Sequence, residues 1–178
     1  AGLLYNKVRE EKIKFIALII ILILIITIVL YIRYKISLAS TNCKVLKEIY
    51  NSSPSLSSIN ENSPYLLRDF YIKTAYNCCA SGQFKADYVD LCALKTCIQQ
   101  GVRCLDFEIY SIDNEPAIAV SSVNDFTVKE SFNSIPTADA FNTILNMAFS
   151  ASHCPNFSDP LILHFRILSN NQPMYDTL

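Results

Sequence analysis

An uninterrupted apolar segment near the start of the chain is the feature that most constrains the fold. Over residues 15–32 every side chain is apolar or aromatic except Thr27, and none is charged. At the rise of an α-helix this segment would be about 27 Å long, close to the hydrocarbon thickness of a bilayer. The segment therefore predicts one transmembrane helix, a single-pass membrane location and contact with a lipid bilayer through residues 15–32.

The residues around this segment favour a transmembrane helix over a buried core helix or a cleaved signal peptide. Tyr31 and Tyr34 lie where interfacial aromatic side chains occur. A core helix of this length would carry polar side chains, and a signal peptide usually has a shorter apolar region. Basic residues are balanced on the two sides, so the positive-inside rule leaves the orientation open. These basic residues are Lys7, Arg9, Lys12 and Lys14 before the segment, and Arg33, Lys35, Lys44 and Lys47 after it.

Composition excludes several classes of function. The formal net charge is −1, so no basic surface indicates nucleic-acid binding. The chain has only three glycines, too few and too scattered for a phosphate-binding loop. There are seven cysteines without a Cys-x-x-Cys pair, and His153 and His164 lack zinc-ligand spacing, so no zinc site is predicted. Whether the cysteines form disulfides stays open, because pairing depends on the redox compartment.

Periodicity divides the chain into four parts. We predict a juxtamembrane segment (1–14), the transmembrane helix (15–32), a stalk helix with a Ser/Asn/Pro-rich linker (33–64) and a folded domain (65–178). Within the domain, apolar patterns and caps predict alternating strands and helices. They are a strand at 69–78, a helix at 86–100 stopped by Gly101, a strand at 102–111, an apolar run at 117–121, a helix from Thr137 to about 150, a strand at 161–168 and a helix start at 172–178.

This alternation is typical of an α/β fold made of parallel βα units. A complete (βα)8 barrel usually needs about 250 residues, more than the domain contains. The chain therefore predicts either an open α/β sheet or the first half of a TIM-like (βα)8 barrel. The end of the chain within a helical pattern favours the half barrel, truncated at this point.

The order FYIKTAYN, CIQQGVRCLDFEIY, EPAIAVSS, DAFNTILNMAFS and DPLILHFRI resembles the X region of phosphoinositide-specific phospholipase C. The resemblance covers roughly residues 68–178, and its best piece is 101–110, where the family has a Gly-x-Arg-x-x-acid-x-acid pattern. The X region is the first half of a (βα)8 barrel. In the family, two histidines act as general acid and base on a phosphodiester. A calcium ion, held by an Asn and three carboxylates, activates the attacking hydroxyl.

Both acid/base positions of the family are replaced in this chain. The first His-Asn pair of the family falls on Tyr76 and Asn77, so the asparagine is kept and the histidine is lost. The second histidine falls on Val120. Tyrosine is a poor base at neutral pH and valine carries no proton, so the resemblance implies a pseudoenzyme.

The metal site is only partly kept. Asn77, Asp106 and Glu108 remain as candidate binding residues and calcium ligands, and the last carboxylate of the family falls on Arg166. Because Asp106 and Glu108 are two residues apart on a strand, both side chains point to one side. Arg166 beside them is expected to act as their counter-ion and to repel calcium, so no cofactor is expected and calcium is the one candidate. His164 is interpreted as a core histidine, with a relocated catalytic base as the alternative.

Three functions are consistent with these patterns. The resemblance implies a membrane-anchored, catalytically inactive phospholipase C-like domain that acts as a structural or binding module with protein partners. Similar proteins with an anchor and a degenerate X region occur among large DNA viruses, where a location in an internal virion membrane and capsid-associated partners are expected. The alternatives are an active phosphodiesterase on lipid head groups with altered acid/base residues, and an open-sheet receptor or adaptor domain that only mimics the family pattern.

Overall fold

The computed structural model describes residues 2–51, 56, 58–59, 64–123 and 128–178. The chain divides into two compact units, Ala1–Ser37 and Leu38–Leu178. Most of the predicted Ser/Asn/Pro-rich linker lies outside the described residues, and nearly all of the predicted α/β domain (65–178) lies within them.

A single helix, α1 (Gly2–Asn51), contains both the predicted transmembrane segment and the predicted stalk. Its apolar side chains at 15–32 are exposed, in contrast to the side chains of a core helix. By length and composition α1 is one helix that is able to cross a membrane or to serve as a signal sequence.

The second unit is a mixed α/β domain, as predicted. After a 3-10 turn at Leu67–Asp69 the elements alternate along the chain. They are β1 (Thr74–Ala75), α2 (Leu91–Gln99), β2 (Cys104–Ile112), β3 (Glu115–Ile118), β4 (Ile135–Pro136), α3 (Thr137–Met147), β5 (Ile162–Ile167) and α4 (Gln172–Thr177).

The five strands form one open mixed sheet centred on β2. Strands β1 and β5 pair with β2 in parallel, whereas β3 is antiparallel to β2 and β4 is antiparallel to β3. Ile109 is paired with both Ile118 and Ile167, so β3 and β5 lie on opposite edges of β2. Within the described part of the chain the sheet does not close into a barrel.

The β2–β3 hairpin departs from the predicted succession of parallel βα units. Asp113 and Asn114 have φ angles of 54° and 67°. Positive φ at both central residues is the signature of a two-residue type I′ turn, which reverses the chain directly. The apolar run predicted at 117–121 therefore begins as an antiparallel strand.

Three predicted boundaries also shift, each for a local reason. The strand predicted at 69–78 shortens to β1, because the chain turns at Asn77 (φ 47°). The helix predicted at 86–100 begins later, because the Asp90 carboxylate accepts the Cys92 backbone N–H at 2.7 Å as an N-cap. The helix ends at Gln99, and Gly101, the predicted stop, follows its C-cap with φ 72°. Thr137 does not cap α3 through its side chain, since its hydroxyl donates to the Pro116 carbonyl at 3.1 Å.

Alternation along β2 separates an apolar face from a polar one. Leu105, Phe107 and Ile109 are fully buried in the hydrophobic core, to which α2 and α3 contribute. Phe165 of β5 extends this face, with its ring centroid 5.9 Å from that of Phe107 and 5.8 Å from that of Phe141 in α3. The even-numbered residues of β2 and β5 project to the opposite face, and the candidate site lies there.

A disulfide joins Cys43, near the end of α1, to Cys92 at the start of α2, with 5.9 Å between their Cα atoms. Asn42 adds a hydrogen bond to Asp87 at 2.9 Å beside it. The other five cysteines form no disulfide among the described residues, and four of them are buried.

We predict that reduction destabilises the domain through this bond alone. Cys43 and Cys92 are 49 residues apart, and closing a loop of that length stabilises a fold by about 2–4 kcal/mol. Urea unfolding of the full chain in detergent should show a loss of this size on adding reductant, and a Cys43→Ser/Cys92→Ser variant should not respond to reductant. A Cys104→Ser control should respond like the wild type. Equal stability of the wild type with and without reductant would show that the bond does not form.

Candidate functional site

The polar cluster lies where β1, β2 and β5 run side by side. In the parallel register of β2 and β5, Asp106 is opposite His164 and Glu108 is opposite Arg166. All four residues occupy even positions, so they share one face of the sheet. Asn77 joins them from the turn after β1, in a left-handed conformation that asparagine tolerates better than most residues.

Arg166 binds three side chains at once. Its Nη1 donates to Glu108 Oε1, and its Nη2 donates to Asp106 Oδ1 and to Asn77 Oδ1, each at 2.6 Å. Its Nε donates to Asp106 Oδ2 at 3.1 Å. Asn77, Asp106 and Glu108 are 2–4% exposed, so both carboxylates are removed from water and share one guanidinium. The structure thus brings together four residues that the sequence placed in one site.

The remaining oxygen positions of the two carboxylates are also occupied. Asp106 accepts the Asn77 backbone N–H at 3.0 Å and His164 Nδ1 at 2.6 Å. Glu108 accepts the Asn77 amide at 3.2 Å, the Tyr110 hydroxyl at 3.1 Å and the Ser121 backbone N–H at 2.9 Å. A fully bonded network of this kind holds its members in one arrangement.

The ionisation states follow from these contacts. Burial raises the pKa of Asp106, but hydrogen bonds from Arg166, the Asn77 N–H and His164 outweigh it and hold the pKa below its usual value. Burial lowers the pKa of Arg166, but hydrogen bonds to Asp106 and Glu108 and the charges of these carboxylates raise it by more. The pKa of Arg166 therefore lies above its usual value. Burial, and next the charge of Glu108, raise the pKa of Tyr110 well above its usual value. Asp106 is therefore a carboxylate and Arg166 a cation at neutral pH.

This donor set does not fit a calcium ion. Calcium takes six to eight oxygen ligands, yet each candidate ligand, Asn77, Asp106 and Glu108, already gives an oxygen to Arg166. The guanidinium lies where a shared metal ion would have to lie, and its positive charge opposes a second cation. Two carboxylates and one guanidinium leave one net negative charge, which the ring of His164 faces at the open side.

Tyr76 and Val120, which the resemblance aligns with the two histidines of the family, have different surroundings. Tyr76 is 59% exposed, and its ring covers the Arg166 guanidinium with 4.3 Å between Cζ and the ring centroid. Val120 is 1% exposed and belongs to the hydrophobic core. The tyrosine is therefore part of the Arg166 cluster, whereas the valine contributes no polar group to it.

His164 differs from its interpretation as a core histidine. Its side chain is 60% exposed, and only Nδ1 is held, by Asp106. The reason is its strand: β5 pairs only with β2 among the described strands, so its other edge is uncovered there, and Leu163 and Phe165 on the odd-numbered face are exposed as well. Position on a strand predicts the face of the sheet, but burial also depends on the neighbouring strand.

Tyr110, Ser121 and Glu130 extend the cluster beyond the predicted residues. Tyr110 follows Glu108 by two positions, so the alternation of β2 could have identified it. Ser121 donates through its backbone N–H to Glu108 and through Oγ to Glu130 at 3.2 Å, a loop contact that no sequence periodicity reveals. Hydrogen bonds from Ser122 lower the pKa of Glu130 to about 2.

We predict that Arg166→Met destabilises the domain by about 3–5 kcal/mol, because it leaves two buried carboxylates without a cation. Asp106 has a lowered pKa in the folded state, so its stabilising effect is present above about pH 4 and is lost as pH falls through the folded-state pKa. The difference in unfolding free energy between wild type and variant should therefore narrow below about pH 4. An Arg166→Met/Asp106→Asn/Glu108→Gln variant should recover part of the lost stability, because it removes the unpaired charges. If the difference in unfolding free energy between wild type and Arg166→Met stays constant down to about pH 2, the ion pair of Arg166 with Asp106 does not stabilise the fold.

The chain matches no protein-family model, and comparison with curated proteins finds no match either.

Proposed function

We propose that the protein is a membrane-anchored, catalytically inactive phospholipase C-like domain that acts as a structural or binding module. The observation that carries the proposal is the binding of Arg166 to Asn77, Asp106 and Glu108 together. These are the three positions that the resemblance assigns to calcium. The guanidinium of Arg166 supplies the positive charge that a calcium ion would supply. The cluster then stabilises the fold and does not activate a substrate.

The order of the parallel strands supports the assignment to the front of a barrel. β1, β2 and β5 are successive parallel neighbours, with α2 in the first crossover and α3 in the second. Consecutive βα units of this kind begin a TIM-like (βα)8 barrel. Arg103, the arginine of the Gly-x-Arg pattern, is buried and donates to the carbonyls of Ala148, Asp159 and Pro160. Its role is to hold the segment that leads into β5.

The chemistry of the family does not transfer to these residues. Tyr76 stacks on Arg166, and Val120 is a core residue. General acid and base groups each contribute about 10²–10⁴-fold to rate, so their loss removes most of the expected turnover.

The long helix supports the anchoring part of the proposal. Residues 15–32 would cross the bilayer once and hold the domain at its surface. By the resemblance, the partners are proteins of a capsid or membrane, and the membrane is an internal one of a virion. The module would then connect that membrane to a protein shell.

One contact favours the alternative of an altered phosphodiesterase. The Asp106 carboxylate accepts His164 Nδ1 at 2.6 Å, an arrangement that orients an exposed imidazole with Nε2 toward solvent. In that alternative, His164 takes a proton from an attacking water and then returns it to the leaving alkoxide.

Hydrolysis of phosphatidylinositol by the full chain in mixed micelles distinguishes the two functions. We predict no turnover above that of a His164→Gln variant, with or without calcium, provided that both proteins unfold at the same temperature. Turnover that falls about 10²-fold or more in His164→Gln would instead establish His164, oriented by Asp106, as a general base. That result would overturn the proposal of an inactive module.

A further inference from the structure

Residues 65–71 expose an unusual amount of apolar and aromatic surface. Tyr65 is 67% exposed, Leu66 56%, and Tyr71 is fully exposed. The segment is ordered: the Asp69 carboxylate accepts the Leu66 N–H at 3.0 Å, and the rings of Tyr65 and Phe70 meet edge to face at 6.2 Å. A fixed turn that presents apolar side chains to solvent is a mark of an interaction surface.

A cleft with a cationic group lies directly behind this surface. It has a volume of about 190 Å³, and its walls include Leu67, Phe70 and Ile72. Lys73 also lines it and donates one hydrogen bond through Nζ, to the Gln100 carbonyl at 3.0 Å. An ammonium has three donors, so two have no partner among the described residues. Arg103 and Asp159 line the cleft as well, so it carries two cations against one carboxylate. Apolar walls beside a net positive charge suit an anionic amphiphile.

We propose that residues 65–73 are a second membrane contact, which lies on the bilayer surface with Lys73 facing the phosphate of an anionic phospholipid. The inference rests on the proposed function through its membrane anchor, which would keep lipid at high effective concentration. Tyrosine rings with leucines are typical of the membrane interface, and lysine is attracted to anionic head groups. The cleft is smaller than the pockets that hold drug-sized ligands, so it takes the phosphate and leaves the acyl chains in the bilayer.

The absence of tryptophan from the chain makes this contact directly measurable. A Tyr71→Trp variant of the full chain is reconstituted into liposomes of phosphatidylcholine, with or without phosphatidylglycerol, that contain brominated lipid. A Leu145→Trp variant is the matched control, because Leu145 is also an exposed hydrophobic residue, at 67%, but lies on α3.

The indole emission of the Tyr71→Trp variant should shift to the blue and be quenched several-fold more than that of the Leu145→Trp control. The quenching should increase with phosphatidylglycerol, because an anionic head group strengthens the attraction to the ammonium. Adding Lys73→Met to the Tyr71→Trp variant should remove that increase.

An alkaline wash of the same liposomes tests separately whether the helix anchors the chain, because a membrane-spanning chain stays with the lipid. If the chain stays with the lipid but the Tyr71→Trp variant is quenched no more than the Leu145→Trp control, the second contact is wrong and the anchor stands. If Lys73→Met leaves the effect of phosphatidylglycerol unchanged, the assignment of Lys73 to the phosphate is wrong. Loss of the chain in the wash would overturn the anchor and, with it, the premise of the contact.

Discussion

The ion pair of Arg166 with Asp106 and Glu108 connects the strands on which the rest of the domain is built. Two buried carboxylates without a cation would be too costly to keep in the fold. Arg166 reaches both at 2.6 Å from β5, while Asn77 reaches them from the turn after β1. One guanidinium thus joins three parallel strands on their polar face, opposite the hydrophobic core.

The same contact connects the fold to the proposed function. A cation supplied by the chain itself satisfies the carboxylates permanently, so the cluster neither needs nor admits a metal ion. Tyr76 covers the guanidinium, and Val120 belongs to the hydrophobic core. In the proposed module, the architecture that would position a substrate is kept while the reactive groups are lost. The module then functions through the surfaces of the domain, which bind partners, and through its membrane anchor.

Local patterns predicted most of the helices and strands. What they missed has local causes, such as the two-residue turn at Asp113 and Asn114, and non-local ones, such as the Cys43–Cys92 bond. Alternation in β2 was enough to place Asp106 and Glu108 on one side of the strand, because strand geometry repeats every two residues. The position of Arg166 beside them was implied only by the resemblance, and it depends on the register in which Glu108 pairs with Arg166. The Cys43–Cys92 bond joins positions 49 residues apart, a distance over which no periodicity extends. The exposure of His164 depends on β5 having no neighbour other than β2 among the described strands, and a single sequence does not specify which strands are neighbours.

Calorimetric titration of the full chain in detergent with calcium tests whether Arg166 takes the place of a metal ion. We predict no saturable heat for the wild type up to millimolar calcium, a range that covers weak sites in extracellular modules. Saturable calcium binding by the wild type, lost in a folded Glu108→Gln variant, would contradict this prediction.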